Sequence, residues 1–443
     1  MSALRQFRQV FNFRDPEARG RCCVLIYMVV EGFLSYVTSG IFYTGFLAGY
    51  GIDIVNVGIL SFIPYVASLF VIFTPTLLNR FPKRRWVLGI SKFLYYFIIL
   101  VGQNLLPLVV THPQGRITGL IAIIFVASIF NVIATSGYAA WHIRFQPEEV
   151  RAYYLNITQF LTALVAGILV LASGWITDTV SALGSGQLDF IVGFRYFAFV
   201  LAVVDVVFLL IPREVEYPVL HQPKLSDILL IPLKNKKFML TMVVVVLWQF
   251  SCTCYSSFLN MYLLENIGIS YTFYNIIIFL YSPFFLFSMS FWQKIIKRTS
   301  WFTTFAIALL IVAPLQIVYG FVQPGIWHYI PLLLLVRLPQ HFAGVGHNVA
   351  FANFQYINMP LTNRECYTSF YQIVFNLGAL AGLVFGTVFT AMTTDLSFTA
   401  FGYTYQTGTP VLTMLCGVIQ FAAVAFIFIF RKQLEPDKDM IRA

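Results

Sequence analysis

The sequence predicts an all-α integral membrane protein with about twelve transmembrane helices in two parallel six-helix repeats. Three observations predict this fold class: the composition, the length of the apolar runs and an internal repeat. Of the 443 residues, 59% are hydrophobic and 10% are charged, and the mean hydropathy is +0.80. A soluble domain carries about 25% charged residues. A chain this apolar cannot cover itself with polar surface in water, so we expect a lipid bilayer to be its main solvent.

The apolar runs have the length of membrane helices. A bilayer core about 30 Å thick requires about 20 apolar residues per helix. The runs are also too long and too uniformly apolar for the alternating strands of a membrane β-barrel. The predicted spans, numbered 1 to 12 in chain order, cover residues 22–46, 55–78, 86–108, 117–143, 153–177, 190–211, 238–263, 271–292, 301–322, 328–354, 367–392 and 409–430.

The basic residues predict the orientation, because short loops rich in Lys and Arg stay on the cytoplasmic side. These basic residues are concentrated in alternate loops, so both termini are expected in the cytoplasm. The protein itself is expected in the plasma or inner membrane. The opposite loops are expected to hold only Arg116 and Arg195. The net charge of +10 therefore indicates topology and gives no reason to expect nucleic-acid binding.

The expected parts are a basic arm at 1–21, a first bundle at 22–212, a linker at 213–237 with a possible short helix at 224–231, a second bundle at 238–430 and a tail at 431–443.

An internal repeat supports the two-bundle organisation. The motif P-x3-R-x2-Y-x4-Q occurs at 147–159 and again at 360–372. Two further matches, of Trp86 with Trp301 and of Gly51 with Gly268, have nearly the same separation in the chain. Each copy contains six spans. An even number gives both copies the same orientation, as in parallel repeats related by an axis along the membrane normal.

Two parallel six-span halves with a basic loop after span 2 resemble the major facilitator superfamily. The loop motif of that family is G-x3-D-R-x-G-R-R/K, and "PTLLNRFPKRR" keeps Arg80, Lys83 and Arg84 but has Asn79 in place of the acid. The resemblance covers nearly the whole chain and implies alternating access by rocking of the two halves. The family's acid helps to lock the cytoplasmic gate, so Asn79 implies a different gate chemistry. The gate candidates are Asn79, Arg80, Arg84, Arg151 and Arg364.

Charged residues inside a membrane are costly and are therefore functional candidates. Glu31 lies about nine residues into span 1 and Arg337 about nine residues into span 10, so both reach the middle of the membrane. They are the best candidates for an opposed acid–base pair across the two halves, with Glu31 as the proton-coupling candidate; a purely structural pair is the alternative, and direct pairing of the two stays open. Lys92 is expected to snorkel to the cytoplasmic face. Asp205 in span 6 suits a structural or a functional role equally.

Polar residues at helical spacing form stripes on spans 1, 4, 7 and 10. By resemblance, these helices line the central cavity. Trp248 aligns with Glu31 in the repeat and is expected to form a cavity wall. Hydrogen bonding between helices is the alternative role for the hydroxyls. The substrate-binding candidates are Glu31, Ser35, Thr38, Asn131, Thr135, Tyr138, Gln159, Trp248, Gln249, Ser256, Asn260, Arg337, His341, Asn348, Gln372 and Asn376.

These features predict a secondary active transporter, coupled to protons, that moves a small polar or anionic organic solute of the sugar or organic-acid class. Two alternatives stay open: a proton-driven multidrug exporter, and a non-transporting membrane receptor or lipid-handling protein. The sequence contains no Walker P-loop, H-E-x-x-H or G-x-S-x-G motif, so we expect no enzyme activity, cofactor or metal. The expected partners are the solute, protons and the lipid bilayer, and the protein is expected to act as a monomer.

Overall fold

A computed structural model describes residues 10–12, 14–78, 80–81, 83–142, 148–184, 186–214, 225–324, 329–360, 364–393, 395–400 and 402–435. A helix lies at each of the twelve predicted spans, which confirms the all-α membrane fold. Within the described residues, 11 helical segments are long and apolar enough to cross a bilayer. The helix at span 10, Tyr329–Asn353, is not among them. Its polar residues, Arg337 and Gln340 among them, lower its mean hydropathy.

The first half of the chain contains nine helices in its described residues. They are α1 (Pro16–Thr38), α2 (Ile41–Gly49), α3 (Ile54–Ser68), α4 (Thr74–Leu78), α5 (Arg85–Tyr96), α6 (Gln103–Val109), α7 (Pro113–His142), α8 (Glu148–Ala182) and α9 (Gln187–Leu210). A 3₁₀ segment at Leu69–Phe73 joins α3 to α4, and a π-helical segment at Phe97–Gly102 joins α5 to α6. Spans 1, 2 and 3 are therefore interrupted, whereas spans 4, 5 and 6 are continuous helices.

The second half also contains nine helices in the part that the structure describes. They are α10 (Leu225–Leu233), α11 (Lys236–Met261), α12 (Tyr271–Phe279), α13 (Tyr281–Arg298), α14 (Trp301–Tyr319), α15 (Tyr329–Asn353), α16 (Arg364–Thr393), α17 (Gly408–Ile429) and α18 (Arg431–Leu434). A π-helical segment, Tyr262–Ile267, extends α11. Helix α10 is the short linker helix expected near 224–231. An antiparallel hairpin of β1 (Ser397–Ala400) and β2 (Tyr403–Gln406) precedes α17 and was not expected.

The chain divides into two compact units. Unit 1 comprises Met1–Asp53, Val66–Gln222 and Ser270–Ser282, and unit 2 comprises Ile54–Tyr65, Pro223–Ile269 and Pro283–Ala443. Helix α12 therefore groups with helices of the first half of the chain. Most of α3 groups with helices of the second half.

The two aligned glycines adopt the same backbone conformation. Gly51 has a φ of 74° and Gly268 a φ of 71°, and each lies just before the next span begins. This left-handed region is unfavourable for residues that carry a Cβ. The conformational match agrees with the repeat inferred from the sequence.

The repeated tyrosines of the two motif copies have similar packing roles. In unit 1, Tyr154 is fully buried, its ring lies 5.7 Å from that of Phe11, and its hydroxyl donates to the Arg21 carbonyl at 3.3 Å. In unit 2, Tyr367 packs edge-on against Phe238, with ring centroids 4.8 Å apart. Each tyrosine therefore fixes the beginning of span 5 or span 11 to residues at or before the start of span 1 or span 7.

The expected loop position of Arg195 is wrong, because this residue lies inside α9 and is completely buried. Its guanidinium donates to Gln103 Oε1 and the Ile99 carbonyl, both at 2.6 Å, to Asn104 Oδ1 at 2.8 Å and to the Val37 carbonyl at 3.1 Å. Ile99 belongs to the π-helical segment. Arg195 thus joins spans 1, 3 and 6, because the planar fork of an arginine can serve several acceptors at once.

A glycine stripe in α16 allows close packing against α11 in unit 2. Gly382 and Gly386 face the backbone of Phe250 and Cys254, and a Cβ at either glycine would clash with that backbone. Thr253 donates to the Ala379 carbonyl across the same interface at 2.9 Å. Small residues permit this close approach of backbones in membrane helices.

Candidate functional site

The polar centre of unit 1 is an ion pair between Glu31 of α1 and Lys92 of α5. Lys92 Nζ lies 2.6 Å from Glu31 Oε1 and donates a second hydrogen bond to Asn131 Oδ1 of α7 at 3.2 Å. The Lys92 side chain is 1% exposed, whereas that of Glu31 is 37% exposed. Glu31 is therefore the more accessible partner of the pair, and Lys92 is enclosed. Three helices supply one charged or amide group each to this contact.

Three tyrosine rings surround the Lys92 ammonium. Its Nζ lies 5.0 Å from the ring centroid of Tyr96, 5.4 Å from that of Tyr95 and 5.8 Å from that of Tyr27. Aromatic faces attract a cation at such distances. The expectation that Lys92 snorkels to the membrane surface is wrong, since Glu31, Asn131 and these rings stabilise its ammonium inside the bundle.

The remaining candidates of unit 1 differ in exposure. Ser35 is exposed and Thr38 and Thr135 are half-buried, and all three hydroxyls donate to carbonyls of their own helix. Tyr138 is buried, with its ring 5.6 Å from that of His142, so it belongs to the core in this conformation. Gln159 is exposed on α8. Only Asn131 joins Glu31 directly in the Lys92 contact.

In unit 2, the predicted cation Arg337 lies in a group of amides and a phenol. It donates to Gln340 Oε1 at 3.4 Å and to the Tyr319 hydroxyl at 3.5 Å, and its guanidinium carbon lies 4.9 Å from the Tyr319 ring centroid. Gln340 in turn donates to Gln316 Oε1 at 3.2 Å. Within unit 1, the ion-pair partner of Glu31 is Lys92. The pairing of Glu31 with Arg337, which lies in unit 2, stays a prediction.

The other candidates of unit 2 fall into two groups by burial. Trp248 and Gln249 are buried, and the Trp248 ring lies 4.7 Å from His347 and 5.3 Å from Phe305, so Trp248 is a packing residue in this conformation. The others are at least partly exposed. The exposed candidates are Ser256, Asn348 and Gln372, and the half-buried ones are Asn260, His341 and Asn376.

The basic loop after span 2 contacts a carboxylate that the sequence analysis did not identify. Glu214, which follows span 6, accepts hydrogen bonds from the backbone amides of Arg84 and Arg85 at 2.7 and 3.0 Å. A carboxylate is favourable at this site because it lies at the N-terminus of α5. Arg80 is exposed. Asn79 and the side chains of Arg151 and Arg364 lie outside the described residues, so their gate roles stay predictions.

Sequence reasoning missed several residues of these sites. Tyr27 lies one helical turn before Glu31, and Gln340 lies one turn after Arg337, so helical spacing would have identified both. Tyr96 lies one turn after Lys92 on α5, so the same spacing applies to it, whereas Gln316 and Tyr319 come from a neighbouring helix, α14. A single sequence gives no signal for which neighbouring helix faces which.

Comparisons with known proteins agree with this architecture. The sequence profile of the Major Facilitator Superfamily matches residues 24–383. A search of curated protein sequences finds no match. The fold is similar to that of a point mutant of the nucleoside transporter NupG, with a TM-score of 0.65 and 13% identity over 95% of this chain and 100% of that one.

Two further solved structures share the fold. A point mutant of the Escherichia coli fucose:proton symporter FucP has a TM-score of 0.58 and 13% identity over 94% of this chain and 98% of that one. A POT family transporter in complex with 5-aminolevulinic acid has a TM-score of 0.65 and 13% identity over 98% of this chain and 100% of that one. At such identities the similarity shows the fold alone. The profile match covers most of the chain, and the protein is therefore a multi-pass membrane protein of the Major Facilitator Superfamily.

Proposed function

We propose that this protein is a proton-coupled transporter of small polar or anionic organic solutes, of the sugar or organic-acid class, that works by alternating access. The observation that carries the proposal is the ion pair between Glu31 and Lys92 inside an apolar bundle. A charged pair at membrane depth is costly to maintain and is a functional candidate by default.

The pair offers a physical route to coupling. Lys92 is enclosed in this conformation, so alternating access must first open a path to its ammonium. A solute carboxylate or hydroxyl that then binds Lys92 would compete with Glu31 for the ammonium. A buried ionised carboxylate without its partner is unfavourable, so Glu31 would then take up a proton. Because Glu31 is the more exposed partner, water can deliver that proton. Solute and proton would therefore bind together.

The second unit supplies groups suited to the same class of solute. Arg337 binds carboxylates well because its guanidinium can donate two parallel hydrogen bonds. Gln340 and Gln316 add amide donors and acceptors that suit sugar hydroxyls. Two of the similar structures are named as a fucose:proton symporter and a nucleoside transporter, which supports but does not decide the solute class.

The alternative functions fit these contacts less well. A drug exporter for lipophilic cations would use Glu31 as an available anion, whereas Lys92 already neutralises it. A receptor or lipid-handling protein would not require a carboxylate that is exposed to water on one side and paired with a buried lysine on the other. We further propose that both termini lie in the cytoplasm, as the basic loops indicate, and that the protein acts as a monomer.

Proteoliposomes that contain a pH-sensitive dye test this proposal. We expect the addition of the correct sugar or organic acid from a panel to acidify the vesicle interior, because solute and proton enter together. Glu31→Gln should abolish the acidification, and Glu265→Gln, at an exposed carboxylate of the π-helical segment, should retain it. Transport of cationic dyes instead of these solutes, or tight lipid binding with no flux, would refute the proposal.

A further inference from the structure

Asp205 is a buried carboxylate that the proposed coupling does not use. It lies in α9, its side chain is completely buried, and neither carboxylate oxygen has a partner within hydrogen-bond geometry among the described residues, although the Tyr96 hydroxyl faces it. An ionised carboxylate in such an environment is strongly unfavourable, whereas a protonated one is tolerated. Burial without a partner therefore favours the protonated form of Asp205 in the conformation described here.

The neighbours of Asp205 include the ion pair itself. Helix α9 packs against α1 and α5, which carry Glu31 and Lys92. The titratable groups that face Asp205 are Glu31 and Tyr27 of α1, Lys92 and Tyr96 of α5 and Tyr138 of α7. The other charged group on the buried face of α9, Arg195, is bonded to residues of α1, the π-helical segment and α6. Lys92 is therefore the cation that attracts the Asp205 carboxylate. In this conformation Lys92 is already paired with Glu31.

Structural carboxylates in unit 1 have a different environment. Asp178 accepts hydrogen bonds from the backbone amides of Tyr271 and Thr272, at 3.1 and 2.7 Å, at the N-terminus of α12. Glu214 accepts two amides at the N-terminus of α5. Both carboxylates bond the backbone amides of a helix N-terminus, where a negative group is favourable. Asp205 holds no helix end and accepts no amide from the described part of the chain, so a structural role of this kind does not account for it.

We propose that Asp205 is a second counter-ion for Lys92, and that Glu31 and Asp205 share one proton in the solute-free protein. In one state Glu31 is ionised and paired with Lys92, and Asp205 is protonated. In the other state Glu31 is protonated, and Asp205 is ionised and paired with Lys92. The proton that Glu31 gains equals the one that Asp205 releases, Lys92 stays protonated throughout, and the net charge of the three groups is constant.

This exchange adds a second residue to the proposed coupling site. Only the role of the exchange in transport rests on the proposed function, since the exchange itself takes place in the solute-free protein. Without Asp205, protonation of Glu31 in an empty carrier would leave Lys92 as an unpaired buried cation, which is unfavourable. With Asp205, Glu31 in the empty protein can gain or lose a proton in exchange with Asp205 while Lys92 keeps one partner. Asp205 would therefore be a proton-carrying residue that contacts the coupling site from α9.

Infrared spectroscopy of the full-length protein in lipid vesicles tests the proposal without any solute. A protonated carboxylic acid has a C=O stretch separate from the bands of an ionised carboxylate, and aspartate labelled with ¹³C at its side-chain carboxyl shifts only the aspartate bands. At neutral pH we expect one protonated aspartate band in the wild type. Asp205→Asn should lose this band. The isotope shift assigns the band to an aspartate even if Asp205→Asn does not fold.

The decisive variants leave Asp205 in place. In Glu31→Gln, Lys92 loses its partner, so Asp205 should ionise and the protonated aspartate band should disappear. In the double variant Glu31→Gln/Lys92→Gln the cation is absent. Asp205 should then be protonated again, and the protonated aspartate band should return. Asp178→Asn should leave the band unchanged. A band that persists in Glu31→Gln, or a wild type without a protonated aspartate band, would overturn the proposal, whatever the transport assays show.

Discussion

Lys92 organises the polar groups of unit 1. Its ammonium contacts Glu31 and Asn131 and faces three tyrosine rings, although its side chain is almost inaccessible to water. Helical spacing alone predicts which residues share a face of one helix. It does not predict that the Lys92 face of α5 points toward α1. The sequence therefore identified Glu31 correctly as a membrane charge but assigned Lys92 to the surface.

A double-mutant cycle measures the strength of the ion pair. In an Asp205→Asn background, which removes the proposed second counter-ion, we expect Glu31→Gln and Lys92→Gln to couple by about 0.5–3 kcal/mol, because the two groups are in direct contact. The double variant should be less destabilised than the sum of the two single variants. Thermal unfolding in detergent gives the stabilities, with the exposed pair of Arg431 and Glu435, 2.9 Å apart, as the control cycle.

The control pair should couple by only about 0.3–0.5 kcal/mol, as exposed helix pairs do. Equal coupling in both cycles would contradict the buried character of the Glu31–Lys92 contact. It would also remove the physical reason for placing the coupling proton there.

The buried hydrogen bonds of Arg195 lead to a separate prediction about stability. Arg195→Met should lower the free energy of unfolding by about 2–4 kcal/mol, because several buried acceptors lose their donor. Arg195→Lys should recover only part of this loss, since a lysine cannot reproduce the planar fork. Arg116→Met removes one hydrogen bond to the Val110 carbonyl and serves as the control. Melting temperatures in detergent provide the comparison, and equal losses at the two positions would refute the proposed role of Arg195.

At the scale of elements, apolar length predicted a helix at each of twelve spans, because a bilayer imposes that length on any crossing segment. Eleven of these segments are long and apolar enough to cross a bilayer within the described residues, and the helix at span 10 is not. The breaks within spans 1, 2 and 3 were not predicted, since hydropathy does not register a local change of helix type. The hairpin at 397–406 was also missed. Gln323, which is buried in unit 2, bonds the backbone of Gln406 at both its amide and its carbonyl. A short hairpin held by a distant glutamine leaves little signal in its own sequence.

The packing of α16 on α11 gives a prediction at this scale. Gly386→Ala should destabilise the protein by about 1–3 kcal/mol, because the added methyl group would clash with the Cys254 backbone. Gly193→Ala in α9 is the matched control, since a Cβ there meets no atom of the described residues within 4 Å. Gly193→Ala should change the free energy of unfolding by no more than about 1 kcal/mol. If thermal unfolding ranks the two variants in the opposite order, the close approach of α16 and α11 is incorrect.

At the scale of the whole molecule, the sequence contained more information than its low similarity to solved structures suggests. The repeat was visible from a few matched residues, and Gly51 and Gly268 share a positive φ as that alignment requires. Family membership follows from the profile match over residues 24–383. The solute was not predictable, because a few polar groups in an apolar bundle suit many small molecules.

The central claim is that the Glu31–Lys92 site couples solute movement to protons. The most direct measurement is accumulation of the transported sugar or organic acid in proteoliposomes under an imposed pH gradient, acidic outside. We predict accumulation above the external concentration in the wild type and in Glu265→Gln. Glu31→Gln should show only equilibration or no uptake. Accumulation in Glu31→Gln equal to that of the wild type would contradict the claim.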